Sequence, residues 1–145
     1  MDMFPNHEYL AMALPFGDRD SKKFYYNQKI NCMPVTGTVK IGDMTVEFDP
    51  SDSFCVLDWG RGVWPDHTNW YWGNGSSYIT DSEGKKHTFG FEITWGIGDE
   101  SNATETCIFY DGKAHKFDAV DVEVFPKDDK YMNDWHFVSK DGRFD

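Results

Sequence analysis

Several things are scarce in this chain of 145 residues, and each shortage excludes something. The three cysteines, Cys32, Cys55 and Cys107, are odd in number and widely spaced, with no CxxC pair. That excludes the usual zinc-ribbon and thioredoxin motifs and predicts free thiols in a reducing cytosol. Cations are few: 14 Lys and Arg stand against 25 Asp and Glu, a net charge of −11. A protein that grips a phosphate backbone needs the opposite balance, so nucleic acid is not an expected partner. No apolar run approaches the roughly 20 residues of a membrane span. The N-terminal MDMFPNHEYLAM carries acids where a signal peptide carries Lys or Arg, so the expected location is cytoplasmic. The histidines form neither HxH nor HExxH, and there is no glycine-rich phosphate loop or GxSxG elbow. No metal site and no cofactor are expected.

Leucine is also scarce, whereas aromatic residues make up 17% of the chain, which predicts a core built from rings. Four of the six tryptophans fall between Trp59 and Trp72. Around them the chain reads SFCVLDWGRGVWP and then NWYW. Ser53–Leu57 predicts a short buried strand that leaves through a glycine-flanked turn at Gly60 and Gly62. The rest is punctuated at short intervals. Lys23–Ile30 is an aromatic-rich strand. Pro34–Ile41 and Met44–Phe48 alternate in period two about Gly42-Asp43, which predicts a hairpin. Gly73–Ser77 reads as a loop and Ser77–Thr80 as the start of a strand. His87–Ile97 places Phe89, Phe91, Ile93, Trp95 and Ile97 on one face. Thr104–Tyr110 and Lys113–Phe117 flank Asp111-Gly112, a second hairpin signal. Val120–Phe125, stopped by Pro126, is a strand; Lys127–Lys130 is a charged loop; Trp135–Ser139 is the last strand. Beyond the N-terminal region no segment has helical periodicity. The expectation is an all-β, antiparallel domain. Residues 1–20 are taken as a lead-in, with Tyr9–Leu14 either helical or extended, and residues 21–145 as the domain.

Four acid–base candidates emerge. Asp58 and Arg61 sit three apart among the tryptophans. They either orient the polar end of a ligand, with Asp58 as a general acid, or form an ion pair that locks a turn. Glu92 interrupts an apolar strand and faces either a cavity or solvent, depending on which face of that strand is inside. Glu105 is a cavity acid or a surface residue. His67, beside Asp66 and close to the tryptophans, is a candidate for proton transfer. Trp59, Arg61, Trp64, Trp70, Trp72 and Trp95 are the candidate ligand-binding residues. Their rings line a cavity, pack a core, or form an outer platform for sugars.

FYYNQKINCMP, SFCVLDWGRGVWP with NWYWG, ATETCIFYDGKAHK and WHFVSKDGRF together resemble the bacterial domain-of-unknown-function family 2804. The resemblance covers about residues 20–145. Members are roughly twice this length, so the resemblance implies the C-terminal half of a longer protein, cut inside its final hairpin. More distantly the family is similar to the carotenoid hydratase and AttH-like proteins, which have two lipocalin-like barrels in tandem.

These readings converge on a lipocalin-like (calycin-type) barrel or strongly curved sheet, one half of a two-barrel protein. The expected function is binding an apolar or lipid-like small molecule, within a hydratase- or isomerase-like enzyme if the whole protein is catalytic. The rivals are a carbohydrate-binding sandwich and a structural domain packed against its missing N-terminal half. The partners expected are that half, an apolar ligand, or a second copy in a homo-oligomer.

Overall fold

The computed structural model describes residues 7–17, 19–101, 103–124, 132 and 134–144. Apart from one 3-10 turn at Arg19–Ser21, the regular structure of these residues is all antiparallel strand. In chain order the strands are β1 (Leu10–Pro15), β2 (Phe24–Pro34), β3 (Gly37–Ile41), β4 (Met44–Phe48), β5 (Phe54–Val63) and β6 (Tyr71–Thr80). They continue with β7 (Lys86–Trp95), β8 (Cys107–Tyr110), β9 (Lys113–Lys116), β10 (Val120–Val124) and β11 (His136–Ser139). Two sheets carry the molecule, ordered β1-β2-β5 and β6-β7-β8-β9, with β3-β4 and β10-β11 as separate hairpins.

The two sheets face one another. Asn31 on β2 donates from Nδ2 to the Phe91 carbonyl on β7 at 2.9 Å, and Cys32 N donates to Ser76 Oγ on β6 at 3.3 Å. Hydrogen bonds among the described residues do not close the strands into a barrel. There β5 and β6 each pair on one side only, and the loop 64–70 separates them. On the opposite seam, backbone hydrogen bonds among the described residues join the two ends of β1 to the second sheet and its flanking loop, through Glu8 N to the Gly112 carbonyl and Asp99 N to the Pro15 carbonyl.

The segment taken as a lead-in includes a strand of the first sheet. Leu10, Met12 and Leu14 alternate with exposed Ala11 and Ala13, and all three are buried. Met12, Leu14, Phe16, Tyr25 and Ile97 form one core cluster; Leu10, Cys32, Cys107 and Phe109 form another. The residues that resemble helix formers in LAMALP are held extended by pairing with β2 over their whole length.

Two expected interruptions are continuous strand. β5 runs straight through Gly60 and Gly62, in register with Asn27 and Tyr25 of β2. Glycine is needed there for space. A Cβ at Gly60 would lie 2.3 Å from the Tyr25 ring, and one at Gly62 would lie 2.0 Å from the Phe24 carbonyl oxygen. Likewise Gly73–Ser77 belongs to β6, where the Phe91 ring lies over Gly75. The hairpins at Gly42-Asp43 and Asp111-Gly112 form where expected. Opposite β5, the pairing of β2 shifts between Ile30 and Met33. There Cys32 takes a left-handed conformation (φ 58°), the mark of a β-bulge.

β10 and β11 pair antiparallel, and Ser139 N donates to the Phe144 carbonyl beyond the last turn. Residues 1–6, Pro126 and the charged loop expected at 127–130 lie outside the described residues.

Candidate functional site

The inner face of β2 is largely polar, and that is where the site forms. β2 alternates Tyr25, Asn27, Lys29 and Asn31 toward the facing sheet, and all four are buried. Register places Asp58 of β5 directly opposite Lys29. Lys29 Nζ lies 2.9 Å from Asp58 Oδ2 and 3.6 Å from Glu105 Oε2. It also lies 4.8 Å from the centroid of the Trp72 ring. Asn27 donates from Nδ2 to Glu105 Oε1, and Thr94 Oγ1 donates to Glu105 Oε2 at 2.7 Å. Trp72 Nε1 donates to Glu92 Oε2 at 2.8 Å.

Three carboxyl groups therefore surround one ammonium. Glu92 is fully buried, and its Oε1 has no hydrogen-bond partner among the described residues. Burial dominates its titration and pushes its pKa up to about 7, against the pull of Lys29 and the Trp72 hydrogen bond. Burial also raises Glu105, opposed by Lys29 and by the Thr94 hydroxyl. For Lys29, burial works against the charge, but the carboxylates of Glu105, Asp58 and Glu92 outweigh it and hold its pKa above the usual lysine range. Near neutral pH the cluster keeps its ammonium while Glu92 exchanges a proton.

A cavity of about 110 Å³ opens against this cluster. Lys29, Asp58 and Glu105 form its polar wall, and Tyr25, Trp64, Trp70, Trp72 and Ile97 its apolar one. The Trp64 ring lies 4.6 Å from Tyr25 and 5.4 Å from Trp70, centroid to centroid. Trp64, Trp70 and Trp72 are all partly exposed, so the rings form a mouth rather than a sealed core. Trp72 also borders a second, largely apolar pocket of about 430 Å³, lined by Tyr71, Gly73, Ile93, Trp135 and Phe137.

Of the sequence candidates, Asp58, Glu92 and Glu105 come together around Lys29, and Trp64, Trp70 and Trp72 line the cavity. His67 is exposed in the loop between β5 and β6. Trp59 and Arg61 point to the outer face of β5, where Trp59 meets the edge of Tyr26 at 6.0 Å. Trp95 lies on the outer face of β7, 5.8 Å from Tyr71. The expected Asp58–Arg61 ion pair does not form; Asp58 pairs with Lys29 instead. Because β5 is a continuous strand, residues three apart project to opposite faces, and no turn folds them together. Sequence reasoning missed Lys29, Asn27 and Asn31. The available signal was the period-two run Tyr25, Asn27, Lys29, Asn31, a polar face on a strand otherwise rich in rings.

Among the described residues no three His, Cys, Asp or Glu side chains are grouped to hold a metal, and no helix is long and apolar enough to cross a membrane. The molecule is thus an antiparallel two-sheet β-protein with a charged cluster between its sheets. The chain belongs to the family described as Domain of unknown function (DUF2804), which it matches over residues 1–145. That match includes the N-terminal segment that the sequence resemblance left out. No curated protein and no solved structure matches it.

Proposed function

We propose that the protein binds an apolar or lipid-like small molecule at the mouth between β5 and β6. The polar end enters the cavity beside Lys29, Asp58 and Glu105, and the body lies along Trp64, Trp70 and Trp72. On this reading the two curved sheets are a lipocalin-like scaffold left open at its seams. The observation that carries it is the cavity itself: half-exposed rings on one side and a charge-bearing wall on the other, with Lys29 and Glu105 buried and Asp58 partly exposed. Ligand sites commonly combine an apolar lining with a few placed polar groups. A hydratase- or isomerase-type proton transfer is the enzymatic form of the same reading, supported by the pKa of about 7 at Glu92. Titrating the protein with long-chain alcohols and polyenes, read by tryptophan fluorescence, tests it. Saturable quenching that is weakened by Trp64→Ala and Trp70→Ala is expected. No saturable response from the folded protein to any member of the panel would overturn it.

A second reading concerns the outer face of the first sheet. Phe24, Leu57, Trp59 and Val63 are exposed there on one side of β2 and β5. Apolar patches of this kind mark interaction surfaces. On this reading the face packs against another polypeptide, such as a second copy of the chain.

A further inference from the structure

Resting on the ligand-binding reading above, we infer that the cavity between β5 and β6 takes a cationic head group, specifically a methylated ammonium. Its aromatic walls, Tyr25, Trp64, Trp70 and Trp72, approach it from different elements, as the sides of a cage. Stacked ring faces attract cations through their quadrupole, and recognition of quaternary ammonium by aromatic cages follows from that. The cage already holds one cation in this way, the Lys29 ammonium against the Trp72 ring.

The charge balance points the same way. Lys29 lies among Asp58, Glu105 and Glu92, three carboxyl groups around one ammonium. When all three ionise the cluster carries two uncompensated negative charges. An anionic head group would add to that excess, whereas a cation would reduce it. Glu92, outside the cavity lining, adds a buried negative charge to the cluster when it ionises. The whole chain, at −11, draws cations toward it and repels anions.

Size sets the head group. A cavity of about 110 Å³, at about 30 Å³ per water in the liquid, holds roughly four non-hydrogen atoms. A trimethylammonium group is of that size, and its three methyls suit ring walls better than a primary ammonium does. A primary ammonium would ask for acceptors on every side.

The experiment uses the whole chain with choline as probe and 3,3-dimethylbutan-1-ol, its neutral carbon isostere, as control. Calorimetry and tryptophan fluorescence are run at pH 6 and pH 8. Choline is expected to bind saturably and at least tenfold tighter than the isostere. Binding should tighten at pH 8, as Glu92 ionises. Asp58→Asn, checked as folded by circular dichroism, should lose at least tenfold in choline affinity and little in isostere affinity. Equal affinity for choline and the isostere would overturn the cationic head group while leaving an apolar ligand standing. Absence of saturable choline binding to the folded protein would overturn it as well, and the alcohol and polyene panel would then decide the broader reading by itself.

Discussion

Lys29 and Asp58 face each other across the β2–β5 pair, ammonium to carboxylate at 2.9 Å, and only the lysine is fully buried. The two ends of this bridge are therefore unequal. Removing Lys29 strands Glu105, and the Glu92 beside it, as buried carboxyls without their cation. Breaking a buried pair from that side costs about 3–5 kcal/mol. Removing the charge of Asp58 leaves Lys29 near Glu105 and exposes nothing new. Urea denaturation should show Lys29→Met losing about 3 kcal/mol or more, and Asp58→Asn about 1 kcal/mol or less. Arg61→Ala, on the opposite and exposed face, should stay within about 0.5 kcal/mol of wild type. A large loss at Arg61 with little at Lys29 would contradict this arrangement.

The glycines of β5 and β6 make a sharper test of packing. Gly62→Ala would drive a Cβ into the backbone carbonyl of Phe24, which cannot move without breaking register. Gly60→Ala meets the Tyr25 ring instead, which can swing at a cost of about 1–3 kcal/mol. At Gly73 nothing lies within 4 Å of the point a Cβ would occupy, and Gly73→Ala should be neutral or stabilising by up to about 1 kcal/mol. The expected order of melting temperatures, from highest to lowest, is Gly73→Ala, then Gly60→Ala, then Gly62→Ala. Any other order would place the rings differently.

How far the sequence revealed these features depends on the residue. The hairpins at Gly42-Asp43 and Asp111-Gly112 were plain, because the turn dipeptide and the flanking alternation agree. β5 was not, because glycine beside a ring and glycine in a turn look alike until the partner strand is known. Only register shows that Tyr25 lies over Gly60. Glu92 had the right pattern but an ambiguous side. β7 has Phe89, Phe91 and Ile93 on one face and Gly90, Glu92 and Thr94 on the other, and sequence alone favours the apolar face as the inner one. The β10-β11 hairpin covers part of that apolar face, where Ile93 is buried, so both faces of β7 are covered and the polar one looks inward. Lys29 carried no motif. Its role follows from what three distant segments bring to it.

Stability should fall as pH rises through neutrality. Glu92 has a folded pKa of about 7, raised above the ordinary glutamate value of 4.5. The folded state therefore holds a proton that the unfolded state has released, and each pH unit between those values weakens folding. The span corresponds to about 3 kcal/mol at most, lost between roughly pH 4.5 and pH 7. His87 acts in the same direction. It is clamped between Asp111 at 2.7 Å and Asp81 at 3.0 Å, hydrogen bonds that hold its pKa above the usual histidine value. A group raised in this way contributes below its unfolded pKa, and the contribution is lost as pH passes the folded one. Melting temperatures measured from pH 5 to pH 8.5 should fall steadily in the wild type. Glu92→Gln should flatten the lower part of the profile and His87→Gln the upper part. A wild-type profile that rises across this range would refute both assignments.

The outer face of the first sheet yields the last expectation. Val63 and Trp59 are about half exposed, and Phe24 is the cross-strand neighbour of Val63. All three lie on one side of β2 and β5, and β5 is an edge of its sheet among the described residues. An edge strand with an apolar face invites pairing with another chain, unless charge or a bulge blunts it. Here Arg61 is the single charge among the outward residues of β5, Leu57, Trp59, Arg61 and Val63. The isolated chain should therefore self-associate reversibly as its concentration rises, despite the repulsion expected from a charge of −11. Salt screens that repulsion, so association should strengthen between low and physiological ionic strength. Trp59→Asp and Val63→Lys should each weaken it at least tenfold without changing the melting temperature much, because neither side chain is buried. Sedimentation showing a monomer at high concentration and moderate salt would remove this face as an interface between copies. Association that both substitutions leave unchanged would move the interface elsewhere.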